Sequence, residues 1–362
     1  MEIKISTEKL QNALARVSKG ATNNKILGIT SIVTLKTAGK DLVLRTTDGN
    51  VVLQETIKDV IDNDAMFVAA TPVTLFTALV NKTTTETITL DVTDNAIKYI
   101  GNGVNSLPLQ LDEEGNVVEI EAQALPNLLM SEKINSKDID IIAQNNVLGV
   151  SNDQDGDYMK YYYLHNGKAI TFNRRTLCIS NIGYKGEAMI SSYLLSLLGL
   201  MSGEITFIRS DDGVSYNFIN GNTIIFGNFN NCKYAAEEKL LELNASTEFD
   251  SEFVVKKDNV KDTLDRISLF ADDGNDFIPI KWISKEDGLQ IESLKQNAYE
   301  LIKYSKEGLE QKQVLDKILD LKTISPVINA CDNDVKIIYG IAQGLKVVNA
   351  TSEFIVCYIN ER

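Results

Sequence analysis

The 362-residue chain is short of the residues that most enzymes and metalloproteins are built around: it has one histidine, one tryptophan and four cysteines. Cys178, Cys232, Cys331 and Cys357 lie far apart and form no CxxC pair. That spacing argues against a zinc site and a disulfide framework, and for a reducing, cytoplasmic setting in which each thiol is a small buried hydrophobe. The lone His165 stands in a tyrosine-rich run with no partner nearby in sequence, so a Ser–His nucleophile or a zinc site has little support and a structural or exposed role is expected. No GxxxxGK[ST] or GxGxxG phosphate loop occurs. Long apolar runs are absent as well. The most apolar stretch, Tyr193 to Met201, is too short to cross a bilayer. The opening MEIKISTEKL has no apolar segment behind a basic start, so no secretory signal and no membrane partner are expected. Positive charge is also scarce, 36 Lys and Arg against 50 Asp and Glu, a net of −14. This excludes a nucleic-acid binder with a uniformly basic surface and leaves room for a small basic patch inside an acidic exterior.

An apolar fraction of 44% supports ordinary cores and rules out wholesale disorder. At about 150 residues per domain the length predicts two to three domains. The run Asn152-Asp153-Gln154-Asp155-Gly156-Asp157 resembles the start of a calcium loop, but Leu164 stands where the twelfth-position Glu belongs. We read it as a hairpin turn, with no metal and no cofactor.

Periodicity carries the strongest signal. A short alternating stretch, Glu2 to Ser6, precedes Thr7 as an expected N-cap, with Leu10, Leu14 and Val17 on one helical face. Strand-like runs follow at 31–37, 42–47 and 51–57, separated by AGKD and TDGN turns. The order then restarts: a strand at 65–70, Thr71–Pro72 as N-cap and first helical residue, a helix carrying Val73, Phe76, Leu79 and Val80, and strands at 87–92, 96–100 and 104–109. Strand, helix, three strands is predicted four more times, with helices over Lys137 to Gly149, from Ser191 through Met201, over Lys257 to Phe270 and from Ser325–Pro326. Gln110 to Met130 and Asn230 to Ala245 read as linkers. Units of this kind pair edge strands from one to the next and curve into an array that closes if a two-fold partner completes it.

Local runs fit the same picture. The first helix ends in Arg16-Val17-Ser18-Lys19, followed by Ile26-Leu27-Gly28-Ile29; a turn reads Thr46-Thr47-Asp48-Gly49; and Leu107-Pro108-Leu109 closes the second unit. In these runs, in length and in its triplicated order of elements, the chain resembles the bacterial-type DNA polymerase III beta subunit, the sliding clamp. The family's A-T-D-G-H-R-L run falls on Thr171 to Leu177, where only the last position is kept. The member is therefore divergent, as phage-encoded copies can be.

The resemblance implies an α+β DNA-clamp fold of three similar domains, each with two helices on antiparallel sheets, together forming half of a closed ring. Its domains are 1–116, 117–243 with a linker at 117–131, and 244–362. It implies a non-catalytic processivity factor, a head-to-tail homodimer that encircles duplex DNA without sequence preference and binds polymerase and clamp loader through short peptides. The DNA-facing set is then Lys9, Arg16, Lys19, Lys25, Lys137, Lys257, Lys261 and Arg266, although the acidic residues Asp258, Asp262 and Asp265 interleave the last three. The nearly uncharged second helices supply no basic stripe. The peptide pocket maps onto Tyr158, Phe172, Arg174, Arg175, Thr176, Leu177, Ala235, Leu240, Ile355 and Cys357, an apolar cleft with polar rim groups. Leu107, Leu269 and Phe270 map to the dimer seam, with Asn105 where an aromatic is usual. Two other readings compete, a structural β-rich assembly protein such as a viral wall component and, more weakly, a hydrolase on a β-scaffold.

Overall fold

A computed structural model of the chain describes residues 1–22, 24, 26–60, 66–122, 130–151, 157–210, 213–229, 234, 236–270, 277–295, 297–305 and 311–359. The calcium-like run, Lys25, Ala235 and Cys232 lie wholly or mostly outside these residues.

Strand, helix, three strands recurs along the chain. The first unit is β1 (Glu2–Ser6), α1 (Thr7–Val17), β2 (Ile32–Ala38), β3 (Asp41–Thr47) and β4 (Val51–Ile57). The second is β5 (Val68–Pro72), α2 (Val73–Asn81), β6 (Thr87–Val92), β7 (Ala96–Ile100) and β8 (Val104–Pro108). The third is β9 (Met130–Asn135), α3 (Ser136–Asn145), β10 (Tyr161–His165), β11 (Lys168–Phe172) and β12 (Thr176–Asn181). The fourth is β13 (Ala188–Ser191), α4 (Ser192–Leu198), β14 (Glu204–Arg209), β15 (Ser215–Asn220) and β16 (Thr223–Asn228). After an extra helix, α5 (Glu237–Asn244), the fifth is β17 (Phe249–Lys256), α6 (Lys257–Ser268), β18 (Pro279–Ser284), β19 (Gly288–Ser293) and β20 (Tyr299–Lys303). The sixth is β21 (Asp316–Asp320), α7 (Leu321–Asn329), β22 (Asp334–Gly340), β23 (Gly344–Val348) and β24 (Ser352–Cys357). Among the described residues no helix is long and apolar enough to cross a membrane.

Two compact units result, Met1–Ser136 with Tyr193–Asn231, and Lys137–Ser192 with Cys232–Arg362. The first holds sheets ordered β1-β6-β7-β8 and β5-β2-β3-β4-β16-β15-β14-β9. The second holds β20-β19-β18-β21 and β13-β10-β11-β12-β24-β23-β22-β17. Each leading strand leaves its own hairpins and completes the sheet of its neighbour in sequence: β1 pairs with β6 and β5 with β2. Such exchange ties successive strand–helix–strand segments together through main-chain ladders. Every named strand pair is antiparallel, as short hairpin loops require.

Helix ends differ from expectation where a side chain one or two residues away does the capping. Ser6, not Thr7, accepts from the Lys9 amide at the start of α1, while the Thr7 hydroxyl donates to the Thr85 carbonyl. Similarly α7 starts four residues before Ser325–Pro326. Asp320 ends β21, its Oδ1 accepts from the amides of Lys322 (3.2 Å) and Ile278 (2.9 Å), and its Oδ2 accepts from the Thr323 hydroxyl (2.7 Å), so Pro326 falls inside the helix. The helix expected over 137–149 tightens after Asn145 into a 3₁₀ turn, and the one expected to reach Met201 ends at Leu198. Beneath α6 and α7 a single core gathers Trp282, Phe253, Phe354 and Tyr339, all buried. Burial raises the thiols of Cys178 and Cys331 to about 12, which leaves them unreactive.

Both eight-stranded sheets contain a junction between distant segments, and each junction carries a buried polar contact. At β4–β16 the Thr223 hydroxyl donates to Glu55, whose other oxygen meets Arg16 at 3.4 Å. At β12–β24 the Ser180 and Ser352 hydroxyls meet at 2.6 Å, and Ser180 donates to the fully buried Asn146. Glu55 is 5% exposed, and desolvation raises its pKa against the opposing pull of Thr223 and Arg16. A carboxyl whose folded pKa is raised adds stability below its unfolded pKa and loses it as pH climbs through the folded value. Glu55→Gln should therefore raise Tm relative to the parent at pH 7, and the gain should vanish once the pH falls below the carboxyl's unfolded pKa. Calorimetry at pH 7 and below that pKa checks this; a variant destabilised equally at both would refute it.

Candidate functional site

In β10, β11, β12 and β24 the residues of one face point away from the helices. On β12 the alternation sends Cys178 into the core under the helices and Leu177 and Ile179 to the opposite side; on β24, Phe354 and Val356 go inward and Ile355 outward. The outward face forms its own cluster of Tyr163, Ile170, Leu177, Ile179 and Ile355, with Tyr158, Phe172, Met189 and Phe249 at its margin. A roof covers part of it. Leu240 and Leu241 of α5 pack onto the sheet together with Tyr234, which precedes the helix.

The roof is fastened at both ends. At its first residue the Glu237 carboxylate sits 2.7 Å from His165 Nδ1 and accepts from the Tyr163 hydroxyl (3.0 Å), which also lies 3.1 Å from Glu187. At its last residue the Asn244 carbonyl accepts from Lys346 Nζ, and its side-chain amide donates to Glu353. Burial and the two carboxylates hold the Tyr163 phenol well above the ordinary range. His165 thus has the partner that its sequence neighbourhood lacks, 72 residues away. Neither α5 nor Glu237 was anticipated, because 230–245 reads as a linker; the apolar pair Leu240–Leu241 was the available signal.

Of the pocket residues named from the sequence, Tyr158, Phe172, Leu177, Leu240 and Ile355 come together in this cluster. Cys357 follows Ile355 by two residues on β24 and is half-buried. Thr176 does not join them. It is buried on the opposite face and lines a separate cleft of about 210 Å³ with Asn173, Leu148 and Pro326. Arg174 and Arg175 occupy the turn between β11 and β12, where Arg174 takes φ = 67°, a left-handed conformation a glycine would adopt freely. The Arg175 guanidinium turns to the same cleft as Thr176, 4.3 Å over the Phe277 ring and 3.9 Å from Asp320. This face therefore offers an apolar seat with a carboxylate and imidazole rim. Among the described residues no group of three or more His, Cys, Asp or Glu side chains is placed to hold a metal ion.

No protein-family model and no curated protein sequence matches the chain. Solved structures do. The chain superimposes over all of its length on all of the DNA polymerase sliding clamp of Bacillus subtilis, with TM-score 0.84 and 14% identity. It matches DNA polymerase III subunit beta of Borrelia burgdorferi, solved with a natural product, as completely (TM-score 0.83, 15% identity). It also matches 99% of the C. crescentus beta sliding clamp, solved with polyethylene glycol at its beta-motif tethering region, over its own full length (TM-score 0.83, 11% identity). The fold is the DNA-clamp fold.

Within the clamp fold, Lys9 and Arg16 of α1, Lys19 just after it, Lys137 of α3 and Lys261 of α6 are exposed. Arg16 also meets Glu55 at 3.4 Å, and two cations expected to face DNA from α6 are held by their own chain. Lys257 donates to the carbonyls of Asn329 (2.8 Å) and Cys331 (2.7 Å) at the end of α7, and Arg266 holds Glu300 of β20 through two nitrogens at 2.7 and 2.6 Å. Leu269 and Phe270 are 79% and 49% exposed. Leu107 is not; strand alternation turns it into the core at 1% exposure, and Val104, at 65%, is the exposed apolar residue of β8.

Proposed function

We propose that the chain is a DNA polymerase processivity factor: a non-catalytic, cytoplasmic sliding clamp that closes as a head-to-tail homodimer around duplex DNA. Its three domains are 1–116, 117–243 and 244–362. The observation that carries the reading is the rule joining the sheets. The last strand of the first unit meets the last strand of the fourth (β4 with β16), and the last of the third meets the last of the sixth (β12 with β24). By that rule β8 should meet β20, yet each ends a four-stranded sheet with one side unpaired by any named strand. Two chains satisfy the rule mutually, which yields a closed dimer with two seams.

Register follows from the same rule. The first residue of β4 lies opposite the fifth of β16 (Val51–Gly227), and the first of β12 opposite the fifth of β24 (Thr176–Val356). Applied to β8 and β20, this sets Val104 against Lys303 and Ser106 against Leu301. The inward-facing Leu107 and Ile302 then fall on one face, and the exposed Val104, Tyr299 and Leu301 on the other.

Closure supplies the hold on DNA, so only weak phosphate contacts are required, from Lys9, Arg16, Lys19, Lys137 and Lys261, while the net charge of −14 keeps the exterior off the duplex. Polymerase and loader bind by seating the apolar end of a short peptide on the outward face of β10–β11–β12–β24. The C. crescentus clamp, with an additive at its tethering region, supports a binding surface of this kind. The test is retention. The protein should run at twice its chain mass in light scattering, stay on circular DNA after loading, and leave the same DNA once it is linearised. Equal loss from both forms would refute encirclement, and open-ended growth in light scattering would favour the β-rich assembly reading.

A further inference from the structure

On the outward face Tyr234 comes from outside the sheet, from the segment that leads into α5. Its ring lies flat on Tyr163, with centroids 4.5 Å apart and planes within 5°, and meets Tyr158 edge-on at 5.5 Å. The residue is 8% exposed, and among the described residues its buried hydroxyl has no hydrogen-bond partner. Tyr163 beneath it directs its own hydroxyl to two carboxylates. A phenol buried for the sake of its ring, with its polar tip unmatched, is held less firmly than its contact area implies, because a buried unpaired hydroxyl is destabilising. An incoming apolar side chain would take the same contacts without that penalty.

We propose that Tyr234 is an internal competitor for the partner's apolar side chain: it fills the seat beside Tyr163 when no peptide is bound and leaves when one enters. The proposal rests on the reading of this face as the peptide pocket. Its consequence is quantitative. Apparent affinity is the intrinsic affinity reduced by the fraction of molecules with the seat open, so Tyr234 sets how strong a peptide must be to bind at all.

The experiment is a fluorescence-anisotropy titration of the full chain with a fluorescein-labelled pentapeptide ending in Leu-Phe. Tyr234→Ala empties the seat and should tighten binding by at least about fivefold. Tyr234→Phe keeps the stacked ring and removes the unpaired hydroxyl, so it should weaken binding by about threefold. These opposite signs support the competitor. A weaker complex with Tyr234→Ala makes the residue a wall of the peptide site and overturns it, as does an affinity unchanged in both variants. If Tyr234→Ala fails to fold, judged by circular dichroism, the sign of the Tyr234→Phe effect decides alone. Phe172→Asp separates the two layers of the argument. Binding that Phe172→Asp abolishes but Tyr234→Ala weakens defeats the competitor only, whereas absence of binding to every form, wild type included, defeats the pocket and the competitor together.

Discussion

Phe172→Asp should reduce polymerase stimulation to the level seen without the clamp, with the dimer intact. Phe172 lies at the margin of the outward cluster, half-buried, beside Leu177 and Ile355. A carboxylate there meets the solvent edge and so leaves the fold in place, yet it puts charge where an apolar anchor must be desolvated. Loss of an apolar anchor contact of this kind costs about 2 kcal/mol, roughly thirtyfold in affinity. Leu177 and Ile355 are poorer positions for this test. They are 1% and 3% exposed, so a charge at either would damage folding before it reported on binding. Light scattering, peptide titration and primer extension on a circular template make up the assay. Undiminished stimulation at normal dimer mass would show that the pocket is elsewhere.

Leu269→Glu combined with Leu301→Glu should convert the dimer to monomers and abolish retention on circular DNA. Both side chains are exposed in the chain, at 79% and 50%, so neither change disturbs its core. In the dimer each would be covered by the neighbouring chain, and a closed ring has two seams. At roughly 1.5–3 kcal/mol for each large apolar side chain buried, four such losses come to on the order of 6–12 kcal/mol, more than four decades in dissociation constant. Charge on an edge strand also opposes strand addition directly. Sedimentation at several concentrations measures the shift. A variant that stays dimeric at nanomolar concentration would place the seam away from β20. Proximity of the seam strands is open to a separate check, since the inferred register brings Ser106 and Leu301 opposite each other.

Strand, helix, three strands was legible because each element has its own period: two along the strands, 3.6 along α1 and α6, with Gly- and Asp-rich turns between. Boundaries slipped where a neighbouring side chain outcompeted the obvious signal, as Ser6 did over Thr7 and Asp320 over Ser325–Pro326. The outward apolar face was half legible. Leu177, Ile355 and Phe172, carried over from the resemblance, do lie together on it, but Thr176 and Arg175 sit one residue out of phase with Leu177 or in the turn, and their side chains went to the other face. Leu107 missed for the same reason.

Short-range information, then, determined which residues are helix and which are strand, and how often the pattern repeats, since turn chemistry and apolar period act within a few residues. What only the tertiary structure decided is who meets whom: the exchanged leading strands, the pairing of β4 with β16 and β12 with β24, the partner of His165 on a helix 72 residues away, and the tyrosine seated on Tyr163. Those contacts join residues far apart in sequence. Their selection depends on which apolar faces and strand edges remain unsatisfied once all the local elements have formed, a property of the whole chain that no single segment encodes.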